Sequence, residues 1–462
     1  MQKKWIILGI VVLTSFMSAL DVSITNVAMP AIGESLKATF QLITLVPLFY
    51  LLSLSMFVIP FGKLADIHGR KNFYIAGVIL FTIGSAISGI APTIHALIGF
   101  RFLQGIGAAL IQATAVAIVT EVFASTERGK ALGISIASVY TGLIAGPLIG
   151  GLILQFLSWR YIFFVNIPIG VAAIIAAFFS IEKLAEPLQK SVFNWGGAIS
   201  LVVFVGSLLA ASQFYGGYLS IVLGVLSLLA FLYTEFVGKN PLIGLKRLAR
   251  NMMFVFANLT AMLNYMGIFA VSFLLAFYFI SVRELSPLHA GLLLGIMPLA
   301  QAILSPVFGS LSDRIGSRLL SSSGMALITL GIAMLSSLTD HSSLIAVAVY
   351  TLIIGVGMGM FSSPNTSAIM GSVDKQHLGI AASFLATMRL IGQSVSIIIL
   401  AVIMARFVPT ELMQEIVSGI AQNLSTAKLE FMAGFHYCFL VLSVFTFLGI
   451  FTSLSRGRSR KQ

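Results

Sequence analysis

Charged residues are scarce in this chain. They make up 9% of its 462 residues, where a soluble domain carries about 25%. With 58% hydrophobic residues and a mean hydropathy of +1.04, an ordinary water-soluble globule is excluded. Cysteine is nearly missing: the single Cys438 lies in an apolar run, which rules out an internal disulfide and a thiolate metal site. The six histidines fall mostly near the ends of apolar runs, without paired ligand spacing, so no metal site is expected. No Gly-x-x-x-x-Gly-Lys-[Ser/Thr] sequence occurs, so the loop that cradles nucleotide phosphates is absent, and with it transport driven by nucleotide hydrolysis. No group of residues points to an enzyme.

Long apolar runs are what the chain has in abundance. Stretches of about 20 apolar residues between polar breaks fall near 5 to 30, 42 to 64, 73 to 91, 95 to 121, 131 to 155 and 159 to 181, then 194 to 213 and 217 to 237. Six more follow, near 252 to 281, 288 to 311, 319 to 338, 342 to 370, 377 to 405 and 434 to 455. The sequence thus predicts an all-α polytopic membrane protein with 14 transmembrane helices: a six-helix bundle over 1–190, two linker helices and a basic loop over 191–250, and a six-helix bundle over 251–462. Lys3 and Lys4 imitate a secretory signal, but the run behind them is too long and many like it follow.

The net charge of +12 and pI near 9.9 do not call for nucleic acid, because the basic residues sit in short clusters between apolar runs. With both termini inside, twenty of the 27 lysines and arginines fall on cytoplasmic segments and five on outer ones, a strong positive-inside pattern. The tail Arg456 to Lys461 is expected to fix orientation and touch anionic lipid. In the outer connection 406–434, Leu412, Ile416, Ile420 and Leu424 recur every four residues, which suggests an amphipathic surface helix, either a lid on the membrane or part of a gate.

The two remaining basic residues, Arg101 and Arg389, are left inside the membrane, as is one acid, Asp21. At about 1.5 Å per residue, Asp21 lies roughly 24 Å along a helix that starts at Trp5. A carboxylate at such depth costs about 3 kcal/mol on insertion scales and faces a protein interior or watery cavity. Arg101, about 9 Å below the outer surface, comes to a similar depth, so the two can meet; the alternative is an arginine stem that snorkels outward. Glu121 and Glu235 fall at span ends and read as interfacial.

Between spans two and three, Gly62, Asp66 and Gly69 (with Arg70) are repeated between spans ten and eleven as Gly309, Asp313 and Gly316, at a constant offset of 247 residues. The glycines permit a tight turn and close helix approach, and an aspartate beside an arginine forms an interfacial ion pair that domain movement can make and break. The first copy resembles the cytoplasmic loop of the major facilitator superfamily, and the order of six, two and six spans resembles its fourteen-helix drug/proton antiporter branch. Asp21 to Pro30 resembles the first-helix motif of that branch, and Arg101 to Ala109 its fourth-helix motif, whose arginine the resemblance associates with proton transfer. Gly142 to Gly151 resembles the fifth-helix antiporter motif. In that stretch Gly142, Gly146 and Gly150 share one helix face, where a neighbour can approach closely, and Pro147 with Gly151 suits a hinge or seal.

The resemblance implies a proton-coupled antiporter that exports amphipathic small molecules by alternating access, powered by the proton gradient with no cofactor. Asp21 and Arg101 are the expected coupling residues. Asp21 as sole interior acid argues against dications and for neutral, zwitterionic or monocationic substrates. Asn26, Gln104, Gln112, Asn264, Tyr265, Gln301, Asn365, Arg389 and Gln393 are candidates for substrate contact, although a lone polar side chain in a span more often makes an interhelical hydrogen bond. A dedicated exporter of one metabolite or lipid-like compound would use the same machinery. A non-transporting membrane sensor would have no need for both the buried acid and the exporter-type fifth helix. The expected partners are substrate, protons and membrane lipid, with the chain acting as a monomer in the cell membrane and no nucleic acid involved.

Overall fold

A computed structural model describes residues 2–124, 127–181, 192–213, 217–238, 240–242, 244–373, 378–408 and 424–457. Among the described residues there are helices and no strands. The first bundle consists of α1 (Gln2–Ser35), α2 (Phe40–His68), α3 (Arg70–Gly89), α4 (Ile94–Val122), α5 (Arg128–Phe156) and a broken sixth span, the single turn α6 (Tyr161–Phe164) followed by α7 (Asn166–Ser180). Helices α8 (Trp195–Gln213) and α9 (Gly217–Phe236) and the short α10 (Leu245–Leu248) follow. The second bundle consists of α11 (Met252–Phe277, ending in a π-helical turn at Tyr278–Val282), α12 (Pro287–Ile315), α13 (Ser317–Leu335), α14 (Leu344–Gly371), α15 (Leu378–Phe407) and α16 (Leu424–Ser455). Thirteen described spans are long and apolar enough to cross a membrane. The remaining position of the expected fourteen is taken by α8, whose apolar stretch is Trp195–Ser207.

Local chemistry sets the helix ends. Thr39, Thr93, Asn251, Ser286 and Ser343 accept first-turn backbone N–H groups of α2, α4, α11, α12 and α14, satisfying donors that would otherwise be bare. The duplicated loops are shorter than the sequence reading had them. Each is one glycine joint, Gly69 with φ +100° between α2 and α3 and Gly316 with φ +91° between α12 and α13, a conformation that only glycine takes readily.

The duplication extends to packing. In the first bundle α1 lies on α5 and α7, α4 on α2 and α3, and α3 on α7; the second repeats this with α11 on α15 and α16, α14 on α12 and α13, and α13 on α16. The bundles meet along two symmetry-related seams, α5 against α12 and α2 against α15. Gly151 meets Pro287 while Pro147 meets Gly291 further along, so α5 and α12 run antiparallel. At the end of the molecule where those two helices' outer turns meet, Phe40 of α2 packs on Phe273 and Phe277 of α11, at centroid distances of 5.8 and 5.1 Å. Helices α8 and α9 pair with each other, and α8 rests on α2 and α15.

The expected amphipathic segment falls mostly outside the described residues. Arg406 belongs to α15 and Leu424 opens α16, so the last helix begins ten residues before the expected 434. Arg456 departs from its expected place in a lipid-facing tail. It is 1% exposed, with Nη1 donating to Asn365 Oδ1 at 2.9 Å and Nη2 to the Ser317 carbonyl. Glu235, at the end of α9, is likewise buried, at 2% exposure; its carboxylate accepts the backbone N–H groups of Leu242, Gly244 and Leu245, tying down the connection after α9.

Candidate functional site

Asp21 and Arg101 meet inside the first bundle. Arg101 Nη1 donates to Asp21 Oδ2 at 2.6 Å and to Gln104 Oε1 at 2.7 Å. Gln104 Nε2 and Asn166 Nδ2 each donate to Asp21 Oδ1 at 2.9 Å. The guanidinium carbon lies 4.3 Å from the Tyr50 ring centroid and 5.7 Å from that of Phe163, close enough for cation–π attraction. Neither charged side chain reaches solvent, at 0% exposure for Asp21 and 1% for Arg101. A snorkelling arginine is thereby ruled out.

Asn166 and Tyr50 were not among the residues singled out from sequence. Asn166 opens α7 just after the break in span six, where Phe163 presents a carbonyl that accepts from Ser85 Oγ at 2.8 Å, and Ser85 Oγ accepts from Asn166 Nδ2 at 3.0 Å. The available sequence signal was Pro168, two residues after Asn166, which lacks a backbone donor and suits the first turn of a new helix. The carboxylate thus receives three side-chain N–H donors from α4 and α7, a strongly charge-stabilising set.

The glycine face of α5 lies against the turns of α1 that flank Asp21. A Cβ on Gly142 would stand 2.6 Å from the Phe16 carbonyl, one on Gly146 would collide with Ser23, and one on Gly150 would lie 2.9 Å from Ile24. Ser23 Oγ adds a bond to the Leu143 carbonyl at 2.9 Å. The other motif residues face the second bundle: Gly151 would carry a Cβ 2.7 Å from the Pro287 carbonyl, and the Pro147 carbonyl closes on Gly291 of α12. One helix therefore touches both the turns beside Asp21 and the seam between bundles.

At the duplicated joints, Arg70 pairs with Asp66 at 2.7 Å and also with Glu121 of α4 at 2.9 Å, joining three helices. In the second copy Gly309 lies close to Ser363, while the side chain of Asp313 is outside the described residues. Gly62 has only ordinary contact with Ala113, at 3.8 Å, so close approach is not its role.

The nine contact candidates separate. Gln104 belongs to the ion-pair site. Asn365 is not a cavity residue: it is buried, accepts from Arg456 and donates to the Ala257 carbonyl at 3.1 Å. Asn264 is also buried, with Nδ2 against Met325 Sδ at 3.3 Å. Asn26 and Gln301 are buried away from the Asp21 bonds, and Gln112 is exposed. Arg389, Tyr265 and Gln393 are half-buried; Arg389 Nη2 donates to Thr366 Oγ1 at 2.8 Å and its guanidinium lies 5.7 Å from the Tyr265 ring centroid.

Two like bundles facing each other across paired seams, with a sealed ion pair in one, define a membrane transporter rather than an enzyme. The chain belongs to the Major Facilitator Superfamily, whose family model matches residues 11–397 and again 257–461. The chain is 36% identical over 395 residues to the riboflavin transporter RibZ of Clostridioides difficile, covering 84% of this chain and 86% of that one. It is 30% identical over 451 residues to multidrug resistance protein 3 of Bacillus subtilis (93% and 86% covered) and over 408 residues to multidrug resistance protein Stp of Mycobacterium tuberculosis (86% and 75%). Among solved structures, a bacterial homolog of the human lysosomal transporter Spinster, inward-facing and unoccupied, superposes with a TM-score of 0.71 at 16% identity over 99% of both chains, a likeness of fold. The protein is a multi-pass membrane transporter, and its relatives include multidrug resistance proteins as well as a riboflavin transporter.

Proposed function

We propose that the protein is a proton-coupled antiporter that exports amphipathic small molecules across the cell membrane by alternating access. The observation that carries this reading is the sealed Asp21–Arg101 pair with Gln104 and Asn166. A proton on Asp21 removes the charge that holds Arg101 and converts the carboxylate from an acceptor of three donors into a group with one donor of its own. The α1 turns that carry it are pressed against α5, whose other face is the seam with α12. Neutralising Asp21 therefore loosens the helix that seals the seam. The excess of basic residues at one end makes that end cytoplasmic, with both termini there, and the Phe40, Phe273 and Phe277 contacts close the outer end. A proton reaching Asp21 from outside thus favours substrate release to the outside, and its loss to the cytoplasm after the carrier has turned inward resets the cycle.

The test is pH-gradient-driven export in proteoliposomes. Asp21→Asn should abolish proton-driven transport while the protein still folds, and normal proton-driven transport by that variant would refute the coupling role. A second reading, a carrier dedicated to one metabolite, draws on the resemblance to a riboflavin transporter. A panel of dyes and drugs separates the two, since failure of every compound to compete favours the dedicated carrier.

A further inference from the structure

We propose that Arg389 and the rings and hydroxyls around it form a subsite for the negatively charged edge of a planar aromatic substrate. The inference rests on the reading of the chain as a small-molecule exporter and narrows what it exports.

Arg389 lies about 17 Å along α15 from Leu378, near the middle of the span. A cation there is costly and persists where it has a partner or a task. Arg101 has its partner in Asp21, and the two charges cancel. Among the described residues no carboxylate pairs with Arg389. Its only described hydrogen bond is to the Thr366 hydroxyl, and its Nε is buried with no acceptor. Among the described residues the middle of the molecule therefore keeps one uncancelled positive charge, on a planar fork of donors that matches a carboxylate or sulfonate geometrically.

The surroundings suit a flat ring. The Arg389 guanidinium carbon lies over the Tyr265 ring, 5.7 Å from its centroid, so an aromatic side chain holds the fork in place and borders the subsite. Thr366 Oγ1 donates to the Ser362 carbonyl at 2.8 Å, and the Ser362 hydroxyl meets the Tyr140 hydroxyl of α5 at 3.0 Å. Tyr140 belongs to the first bundle and the others to the second, so the cluster straddles the two bundles, where an alternating-access carrier needs its substrate. Arg389, Tyr265, Tyr140 and Thr366 are all half-buried, so the cluster keeps open surface. Such a site repels a monocation, which removes one of the substrate types the sequence allowed.

Equilibrium binding to the purified full chain in detergent, read by fluorescence polarisation, tests this with two dyes on one xanthene ring: anionic fluorescein and cationic rhodamine 6G. Fluorescein should bind at least about tenfold more tightly. Arg389→Gln should weaken fluorescein at least about tenfold and leave rhodamine 6G unchanged or tighter; Arg389→Lys should keep the anion preference, and Tyr265→Leu should weaken both dyes. Fold is checked for each variant by gel-filtration profile and melting temperature. Equal or tighter binding of rhodamine 6G, no binding of fluorescein, or full fluorescein affinity in folded Arg389→Gln would each overturn the proposal. No pH gradient is involved, so these results are independent of the Asp21→Asn transport test.

Discussion

Asp21 and Arg101, 80 residues apart in sequence, form a 2.6 Å ion pair with neither side chain more than 1% exposed. In hydrocarbon such a pair is held together as much by the cost of separating it as by its own attraction. Arg101→Gln leaves the carboxylate with amide donors and no countercharge, and should destabilise the protein by about 3–5 kcal/mol. The double variant with Asp21→Asn should be more stable than Arg101→Gln alone, because no uncompensated charge remains. Thermal unfolding in detergent measures both, and strictly additive losses would contradict the pairing.

Gly146 is where α5 comes closest to the turn after Asp21. A methyl group there meets the Ser23 side chain and stands 2.8 Å from the Ile24 backbone nitrogen, so Gly146→Ala should cost about 1–3 kcal/mol and slow transport by moving α1. Gly9→Ala, on the same α1 helix with nothing within 4 Å, should be neutral or slightly stabilising. Melting temperature and transport rate of the two variants check the contrast.

At the end of the molecule where Phe40 meets Phe277, Lys428 Nζ donates to Glu284 Oε1 at 2.7 Å, linking the start of α16 to the connection after α11. Hydrogen bonding and the lysine charge hold the Glu284 carboxyl below its ordinary value of 4.5. A carboxyl whose folded value is depressed contributes stability above its unfolded value, and that contribution disappears as the pH falls through the folded one. Glu284→Gln should therefore flatten the fall in melting temperature over about pH 5 to 3. The effect should be small, because the glutamate is largely exposed. An unchanged profile would show the tie to be without thermodynamic weight.

Much of the fold was legible because a membrane leaves few options. Run length and the placement of basic residues gave the spans, and the 247-residue offset gave the duplication that the packing repeats. Depth alone brought Asp21 to Arg101. Contacts across helices were less legible, since spacing does not say which face meets which neighbour. Asn166 was not singled out within the span 159 to 181, and only the break between α6 and α7 carries it to Asp21. Asn365 and Arg456 each looked available, one to substrate and the other to lipid, and they bond to each other instead.

Helix α8 rests on both α2 and α15. A bare pair of like bundles would part equally along its two seams when it rocks. Here one seam carries a strut that both partners must slide past, while α5 and α12 have no such cover from α8. Under the alternating access proposed above, the swing would be lopsided, like a door hung on one edge, with the α5–α12 edge, where Pro147 and Gly291 are in contact, as the side free of the strut.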